Sequence, residues 1–309
     1  MTPLTPRTAL ATWQFDPLAS AALIFVAAAY LLCTARVRRR HPSRPWPLPR
    51  TLTFLGGLAV LAVATQSSVG AYDDVLFSAH MVQHVLLIMG APPLLIVGRP
   101  VTLLLHSWGN PVHTRLKRAV RSRLVTALTW PPVATALYCA VVAGTHTPPF
   151  MDLVLENQAV HDAEHVLYVF AGYLFFLPVL DAEPLKRRVS PIGGFLMLLI
   201  AMLADSATGI VYTFQGRQVF APYARVVRAW GPSQVTDLHI GGYVMIMGSD
   251  LIMVVIAIWL SARYLRADSG HLDGPRPAGL RGEADLAAYN EYLRTLEAGS
   301  GPGARGARG

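Results

Sequence analysis

The sequence predicts an all-α integral membrane protein that is a bundle of seven transmembrane helices. Of its 309 residues, 53% are hydrophobic and only 14% are charged, whereas about a quarter of the residues of an ordinary soluble domain are charged. The apolar residues also stand in long blocks, which approach or exceed the roughly 20 residues that a helix needs to cross a bilayer. These two observations exclude a soluble globular protein.

Seven such blocks follow one another along the chain. Several contain Gly or Pro, which membrane helices tolerate better than soluble helices do. The predicted spans are 18–35, 52–69, 75–97, 124–143, 161–180, 193–213 and 239–262. Since no internal repeat interrupts the series, we expect residues 1–266 to form one seven-span membrane domain in contact with membrane lipid.

The distribution of Lys and Arg predicts the orientation of the bundle. Of the 26 basic residues, 22 lie in the segments 36–50, 98–123 and 186–188 or after the last span. The four on the opposite side are Arg7, Arg217, Arg225 and Arg228. Because cytoplasmic loops carry the excess of positive charge, the amino terminus is expected outside and the carboxyl terminus in the cytoplasm. The net charge of +8 therefore reflects topology and attraction to anionic lipid, and gives no reason to expect a nucleic-acid partner.

The two ends of the chain carry weaker signals. The first apolar run has a weakly charged front and no end typical of cleavage, so no signal peptide is expected. Residues 267–309 are rich in Gly, Ala, Arg and Pro and are predicted to form a flexible cytoplasmic tail. Within the tail, Leu286, Tyr289 and Leu293 recur at helical spacing, which predicts a short surface helix over 283–297.

Six of the ten histidines fall at the expected outer side of the bundle. His80 and His84 form one HxxxH pair in the third span, and His161 and His165 form a second pair at the start of the fifth. A spacing of four residues puts both rings of a pair on one helix face. Imidazole is a common metal ligand, so these four histidines are predicted to be the primary ligands of a metal site. His146 in the outer loop or His239 at the start of the seventh span would complete the ligand set or exchange with one of its members.

Other polar or sulfur-containing side chains stand near the same level of the bundle. They are Asp73, Asp74, Met81, Asp162, Glu164, Asp205 and Asp237. Three of these carboxylates are expected to hydrogen-bond to the imidazoles and orient them without binding the metal: Asp162, Glu164 and Asp237. Asp205, within the sixth span, is expected to face the bundle interior. Histidine with a nearby thioether such as Met81 favours copper, especially Cu(I), whereas histidine with carboxylates favours zinc or iron.

The third span also carries a resemblance to a known family. The run Ser78-Ala-His-Met-Val-Gln-His-Val-Leu-Leu, followed by Ala91-Pro-Pro-Leu-Leu and Gly98-Arg-Pro, resembles the third-helix signature of CtaG-type cytochrome c oxidase assembly factors. Further matches occur in order at His146 with Pro148, His161 with His165, and Gly241-Gly242. The resemblance covers roughly residues 15–262.

The resemblance implies a function. Members of that family are seven-span proteins of the bacterial plasma membrane that are needed to make active haem-copper oxidase and are thought to help deliver copper. We therefore expect copper, as Cu(I), to bind at the outer ends of the third and fifth helices and to pass to the oxidase. The implied partners are oxidase subunits and an extracytoplasmic or periplasmic copper chaperone. No bond-making step is required, so no enzyme activity is expected.

Three alternatives remain open from the residues alone. His161-Asp-Ala-Glu-His165 fits the HxxEH pattern of a zinc metallohydrolase, in which Glu164 would be the base. One histidine from each helix would suit a b-type haem. The histidines of a structural subunit would instead tune pH-dependent contacts.

Overall fold

The computed structural model describes the backbone of residues 3–186, 189–272, 291 and 294, and the regular structure of this part of the chain is entirely helical. The all-α prediction is thereby confirmed. By internal contacts, residues 3–260 form one unit and the residues from 261 onward a second. The helices are α1 Pro6–Ala11, α2 Pro17–Arg40, α3 Leu48–Gln66, α4 Ser68–Tyr72, α5 Phe77–Val85, α6 Ala91–Val97, α7 Pro100–Ser107, α8 Val112–Val120, α9 Arg123–Leu128, α10 Pro131–Thr145, α11 Pro148–Glu156, α12 Gln158–Leu180, α13 Pro191–Thr213, α14 Ala221–Arg225, α15 Gln234–Tyr243 and α16 Ser249–Leu272, with π-helical turns at Leu86–Gly90 and Val244–Gly248.

Within the described residues, six helical stretches are long and apolar enough to cross a membrane. They are Pro17–Arg40, Leu48–Tyr72, Phe77–Ser107, Gln158–Leu180, Pro191–Thr213 and Gln234–Arg266. The remaining predicted span, 124–143, is broken: the stretch Val112–Leu128 meets α10 at a bend of 63°. Trp130 precedes two prolines and has extended backbone, because a proline disfavours helical conformation in the residue before it. The described part of the chain thus contains six candidate spans, or seven if the bent pair is one span.

The exposed side chains of the spans fit a lipid environment. In α2, Leu18, Phe25 and Leu32 are exposed, whereas Tyr30 and Val37 are buried. In water, such an apolar surface would be costly to expose, but acyl chains are as apolar as leucine. The helices therefore fit a multi-pass membrane protein. The orientation of the termini stays a prediction.

The third span changes its hydrogen-bonding pattern directly after its histidine pair. The π-helical turn Leu86–Gly90 separates α5 from α6. Pro92 and Pro93 follow it and have no N–H to donate to carbonyls one turn earlier. A single π turn absorbs such a mismatch inside a helix, and turns of this kind are frequent at functional sites.

Gly172 allows α12 to approach that π turn closely. A Cβ atom at this position would lie 1.9 Å from the carbonyl oxygen of Ile88, so a side chain would force the two backbones apart. This close approach holds α12 beside the third span, and both helices begin at the same end of the bundle. The two histidine pairs therefore face each other.

The predicted cytoplasmic tail lies almost wholly outside the described residues. Of the stretch 283–297, only Glu291 and Arg294 are described, and both have helical backbone. The bounds of the surface helix and the flexibility of the tail stay predictions.

Gly172→Ala should destabilise the protein by about 2 kcal/mol or more, since its methyl group overlaps backbone that has to shift. Gly56→Ala is the matched control, because a Cβ at Gly56 of α3 has nothing within 4 Å, and we expect it to be neutral or slightly stabilising. Thermal unfolding in detergent measures both. Equal midpoints for the two variants would contradict the close approach of α12 to the third span.

Candidate metal centre

The two histidine pairs meet between α5 and α12. The rings of His80 and His84 have centroids 4.3 Å apart, and those of His161 and His165 are 4.4 Å apart. Across the helices, His80 and His161 stack with centroids 5.3 Å apart and planes within 11° of each other. Each pair lies on one helix face because residues four apart in a helix differ by about one turn. The structure thus brings together all four of the histidines predicted as primary ligands.

His146 joins this cluster from the end of α10. Its ring lies 5.3 Å from that of His84, centroid to centroid. Its Nδ1 donates to the carbonyl oxygen of Val142 at 2.7 Å, which leaves Nε2 as the atom with a free lone pair. Burial lowers the pKa of His146, so the neutral form that binds metals is favoured. Its own carbonyl accepts a hydrogen bond from the Tyr212 hydroxyl at 2.7 Å, which holds the loop.

Glu164 lies inside the cluster rather than behind it. Its Oε2 is 3.4 Å from Nε2 of His84 and 3.8 Å from Nε2 of His80, and the residue is only 1% exposed. From its place beside the second histidine pair in the sequence, Glu164 is expected only to orient the imidazoles. Its carboxylate instead stands at the distance of a further candidate ligand.

Asp73 is a second carboxylate beside the rings. Its Oδ2 lies 3.7 Å from Nε2 of His161 and accepts a hydrogen bond from the Gln83 side chain at 2.8 Å. The Tyr223 hydroxyl donates to its backbone oxygen. Burial raises the pKa of the Asp73 carboxyl to about 7. From the sequence, Asp73 is expected only to be a polar residue near the site. Its position between α4 and α5 does not reveal that the loop connecting them folds toward α12.

Many polar atoms of this cluster have no hydrogen-bond partner among the described residues, although they are buried. Leaving such atoms unpaired is costly, and their convergence at one place fits a site that binds a cation. They are Nδ1 and Nε2 of His80 and of His84, Nε2 of His146, His161 and His165, and both carboxylate oxygens of Glu164.

Two groups of three side chains have the spacing of metal ligands. One consists of Asp73, His161 and His165, and the other of His80, His161 and Glu164. In each group the ligand atoms lie within 4.8 Å of one another. Small side-chain adjustments bring such atoms to the bond lengths of about 2.0–2.2 Å that imidazole and carboxylate ligands form with a metal such as zinc. His161 belongs to both groups.

Asp237 supports the cluster through the backbone of α5. Its carboxylate accepts hydrogen bonds from the N–H groups of Phe77 and Ser78 at 2.8 and 3.3 Å and from the Ser78 hydroxyl at 2.5 Å. The guanidinium of Arg228 lies 3.7 Å away. The first N–H groups of a helix have no partner within it, so Asp237 stabilises the start of the helix that carries His80. It therefore positions the histidine pair without contacting a ring.

A family model described as "Cytochrome c oxidase caa3 assembly factor (Caa3_CtaG)" matches residues 28–267. The match includes every histidine and carboxylate of the cluster. The chain belongs to this family. The resemblance carried by the third-span signature is therefore confirmed.

Relatives of the chain are found in mycobacteria. It is 31% identical over 310 residues to uncharacterised proteins of Mycobacterium bovis and Mycobacterium tuberculosis, an alignment that covers 95% of this chain and 46% of each relative. An uncharacterised protein of Mycobacterium leprae is 27% identical over 299 residues, which is 92% of this chain and 44% of that relative. The chain thus spans about half the length of these curated relatives. No solved structure matches it.

His239 and Met81, which the sequence places near the predicted metal site, contact other parts of the protein. The His239 ring has its Nε2 paired with the backbone oxygen of Gln215 at 2.8 Å. Met81 is one residue away from His80 and therefore points to another face of α5, where a Cβ at Gly241 would lie 3.1 Å from its Cγ. The thioether packs against the last span. A ligand role for either residue stays a prediction.

Two of the predicted supporting carboxylates, Asp205 and Asp162, also have other partners. Asp205 accepts a hydrogen bond from the Tyr138 hydroxyl at 2.9 Å and is buried, as its place within a span predicts. Asp162 is exposed and accepts from the Gln158 side chain at 2.9 Å on its own helix.

Asp237→Ala should lower the free energy of unfolding by about 2–4 kcal/mol, because it leaves the first N–H donors of α5 without their acceptor and removes the carboxylate beside the Arg228 guanidinium. Thermal and denaturant unfolding in detergent measure this change. Asp162→Ala, at an exposed carboxylate in the same helix as the second histidine pair, should change stability by about 0.5 kcal/mol or less. Comparable losses in both variants would show that Asp237 does not stabilise the start of α5.

Proposed function

We propose that this chain supports the assembly of a haem-copper cytochrome c oxidase by binding copper in the cluster between α5 and α12 and passing it to an oxidase subunit. Membership of the caa3 assembly factor family supports the role in assembly. The observation that carries the copper proposal is the convergence of buried imidazole nitrogens without hydrogen-bond partners among the described residues.

The ligands follow from the distances. His80, His84 and His161 contribute imidazole nitrogens, and Glu164 contributes a carboxylate oxygen next to two of them. The ring of His146 lies next to that of His84, and its Nε2 has no hydrogen-bond partner among the described residues. In this proposal, His146 replaces one of the other ligands while the copper ion is exchanged. Because the proposed transfer only exchanges ligands, no catalytic nucleophile is needed.

The donor set bears on the form of the metal. The expectation of Cu(I) drew on a thioether near the rings, and Met81 packs against the last span instead. What remains is an imidazole-rich set with carboxylates, and imidazole binds copper in either oxidation state. We therefore propose copper as the cargo because of the imidazole-rich donor set, and Cu(I) stays the form expected from the sequence.

The proposed side of delivery depends on the orientation inferred from charge. If basic loops face the cytoplasm, the cluster opens on the extracytoplasmic side, where a periplasmic copper chaperone and the oxidase subunits are accessible. Membrane lipid surrounds the spans throughout.

One observation favours a second candidate. A zinc hydrolase of the HxxEH type needs a further acidic ligand, and Asp73 stands beside His161 and His165 as such a group. However, Glu164, which would be the base, is 1% exposed and enclosed by His80 and His84. A substrate bond has no access to it in this arrangement, so copper transfer is the stronger proposal. Zinc-dependent peptide cleavage that Glu164→Gln abolishes would reverse this order.

Replacing His80, His84, His161 and His165 together with Ala should abolish copper binding by the purified protein. The same variant should leave membranes with little cytochrome c oxidase activity when it replaces the native chain in cells. Metal analysis after equilibration with Cu(I) under anaerobic conditions measures the first effect.

The control for this experiment is the double variant His106→Ala/His113→Ala. Both rings hydrogen-bond to backbone oxygens of α7, at the other end of the third span from His80, so it should keep full copper binding. Thermal unfolding shows that both proteins are folded. Undiminished copper in the quadruple variant would disprove this site.

A further inference from the structure

We propose that the cluster is a two-station relay, in which a copper ion enters through a side cavity, binds first to Asp73, His161 and His165, and then moves to His80, His161 and Glu164. We call these groups the outer station and the inner station. This inference rests on the proposed copper function and adds the route and order of loading.

The first support is the cavity beside the cluster. A cavity of about 1100 Å³ lies between α2, α3 and α12. Its lining includes all three residues of the outer station. Of the inner station, the lining contains His161 alone, as far as the described residues show. An ion that arrives through this cavity therefore meets the outer station first.

The second support is the gradient of burial. His165 is partly exposed, and Asp73 and His161 are 5% and 7% exposed. His80 and Glu164 are 0% and 1% exposed. The donors thus become more enclosed along the path from the cavity to the inner station, so an ion loses its remaining water step by step.

The third support is the charge of the cavity. Four carboxylates line it, and its described lining contains no Lys or Arg. A cleft lined by one sign of charge concentrates the opposite ion and speeds its arrival. Asp73 belongs to the outer station itself. The other three are Asp16, Asp74 and Asp162.

His161 explains why the stations are successive rather than simultaneous. A neutral imidazole has one nitrogen lone pair available to a metal, and Nε2 of His161 is the unpaired atom. It therefore serves one ion at a time. During the move the ion keeps His161, releases Asp73 and His165, and gains Glu164 and His80, so it is held by protein ligands throughout and no electron is transferred.

The two stations predict different defects. In the outer-station variants Asp73→Asn and His165→Ala, the association rate of Cu(I) should fall at least tenfold, while one equivalent still binds and the dissociation constant stays within about threefold. In the inner-station variants His80→Ala and Glu164→Gln, the dissociation constant should rise at least tenfold while association stays fast.

Rapid-mixing transfer of Cu(I) from a chromogenic chelator to the whole purified chain measures both quantities. Two variants for each station guard against a single misfolded protein, and thermal unfolding identifies any such case. The matched controls are Glu156→Gln and His106→Ala. Glu156 is an exposed carboxylate paired with Arg225, and His106 lies in the same span as His80 but at its opposite end. Both should match the native chain in rate and affinity.

The outcomes separate this relay from the function on which it rests. A native chain that binds no copper overturns both. Copper binding that all four variants weaken alike, with no selective loss of association rate in the outer pair, overturns the relay and leaves a single copper site. Slow loading confined to Asp73→Asn and His165→Ala, with weak binding confined to the other pair, establishes the order of the stations.

Discussion

The structure depends on burying imidazoles and carboxylates inside an apolar helix bundle. A buried polar group without a partner costs roughly 1–3 kcal/mol, and this cluster contains several such atoms on His80, His84 and Glu164. Packing alone gives no compensation for that cost, whereas a bound cation satisfies nitrogens and carboxylate oxygens at once. The arrangement therefore fits the proposed cation site, which would gain stability when an ion binds to it.

The surrounding structure positions these groups through contacts that leave the ring nitrogens free. Asp237 binds the first N–H groups of α5, and Gly172 permits α12 to lie against the π turn that follows the histidine pair. Gln83 holds the Asp73 carboxylate and also donates to the Ala64 carbonyl at 3.0 Å. In each case a polar group or a missing side chain sets the position of a helix or loop, and the rings follow from it. Such outer contacts orient metal ligands without occupying them.

The cluster is enclosed on one side and reachable on the other, which is the property a transfer protein needs. A structural metal site is usually closed by a complete set of protein ligands. Here the donors continue from a cavity to a fully buried group, with His161 common to both. In the proposed relay, stepwise exchange between these neighbouring ligand sets would keep the ion bound to protein while it moves. Membership of an oxidase assembly family makes the oxidase the proposed destination of such an ion.

The sequence by itself determined the features that depend on local pattern: the apolar spans, the two HxxxH pairs on single helix faces and the family signature of the third span. The length of an apolar stretch and a spacing of four residues between histidines can both be read directly from the sequence. The break of the fourth span was missed, although Pro131 and Pro132 were a visible signal for it.

Only the tertiary structure decided which neighbours reach the rings, because that depends on how separate helices and loops pack. It placed Glu164 and Asp73 beside the imidazoles, turned Met81 toward Gly241, and assigned Asp237 to the start of α5. A one-residue step along a helix turns a side chain by about 100°, so Met81 packs toward Gly241 although it directly follows His80 in the sequence.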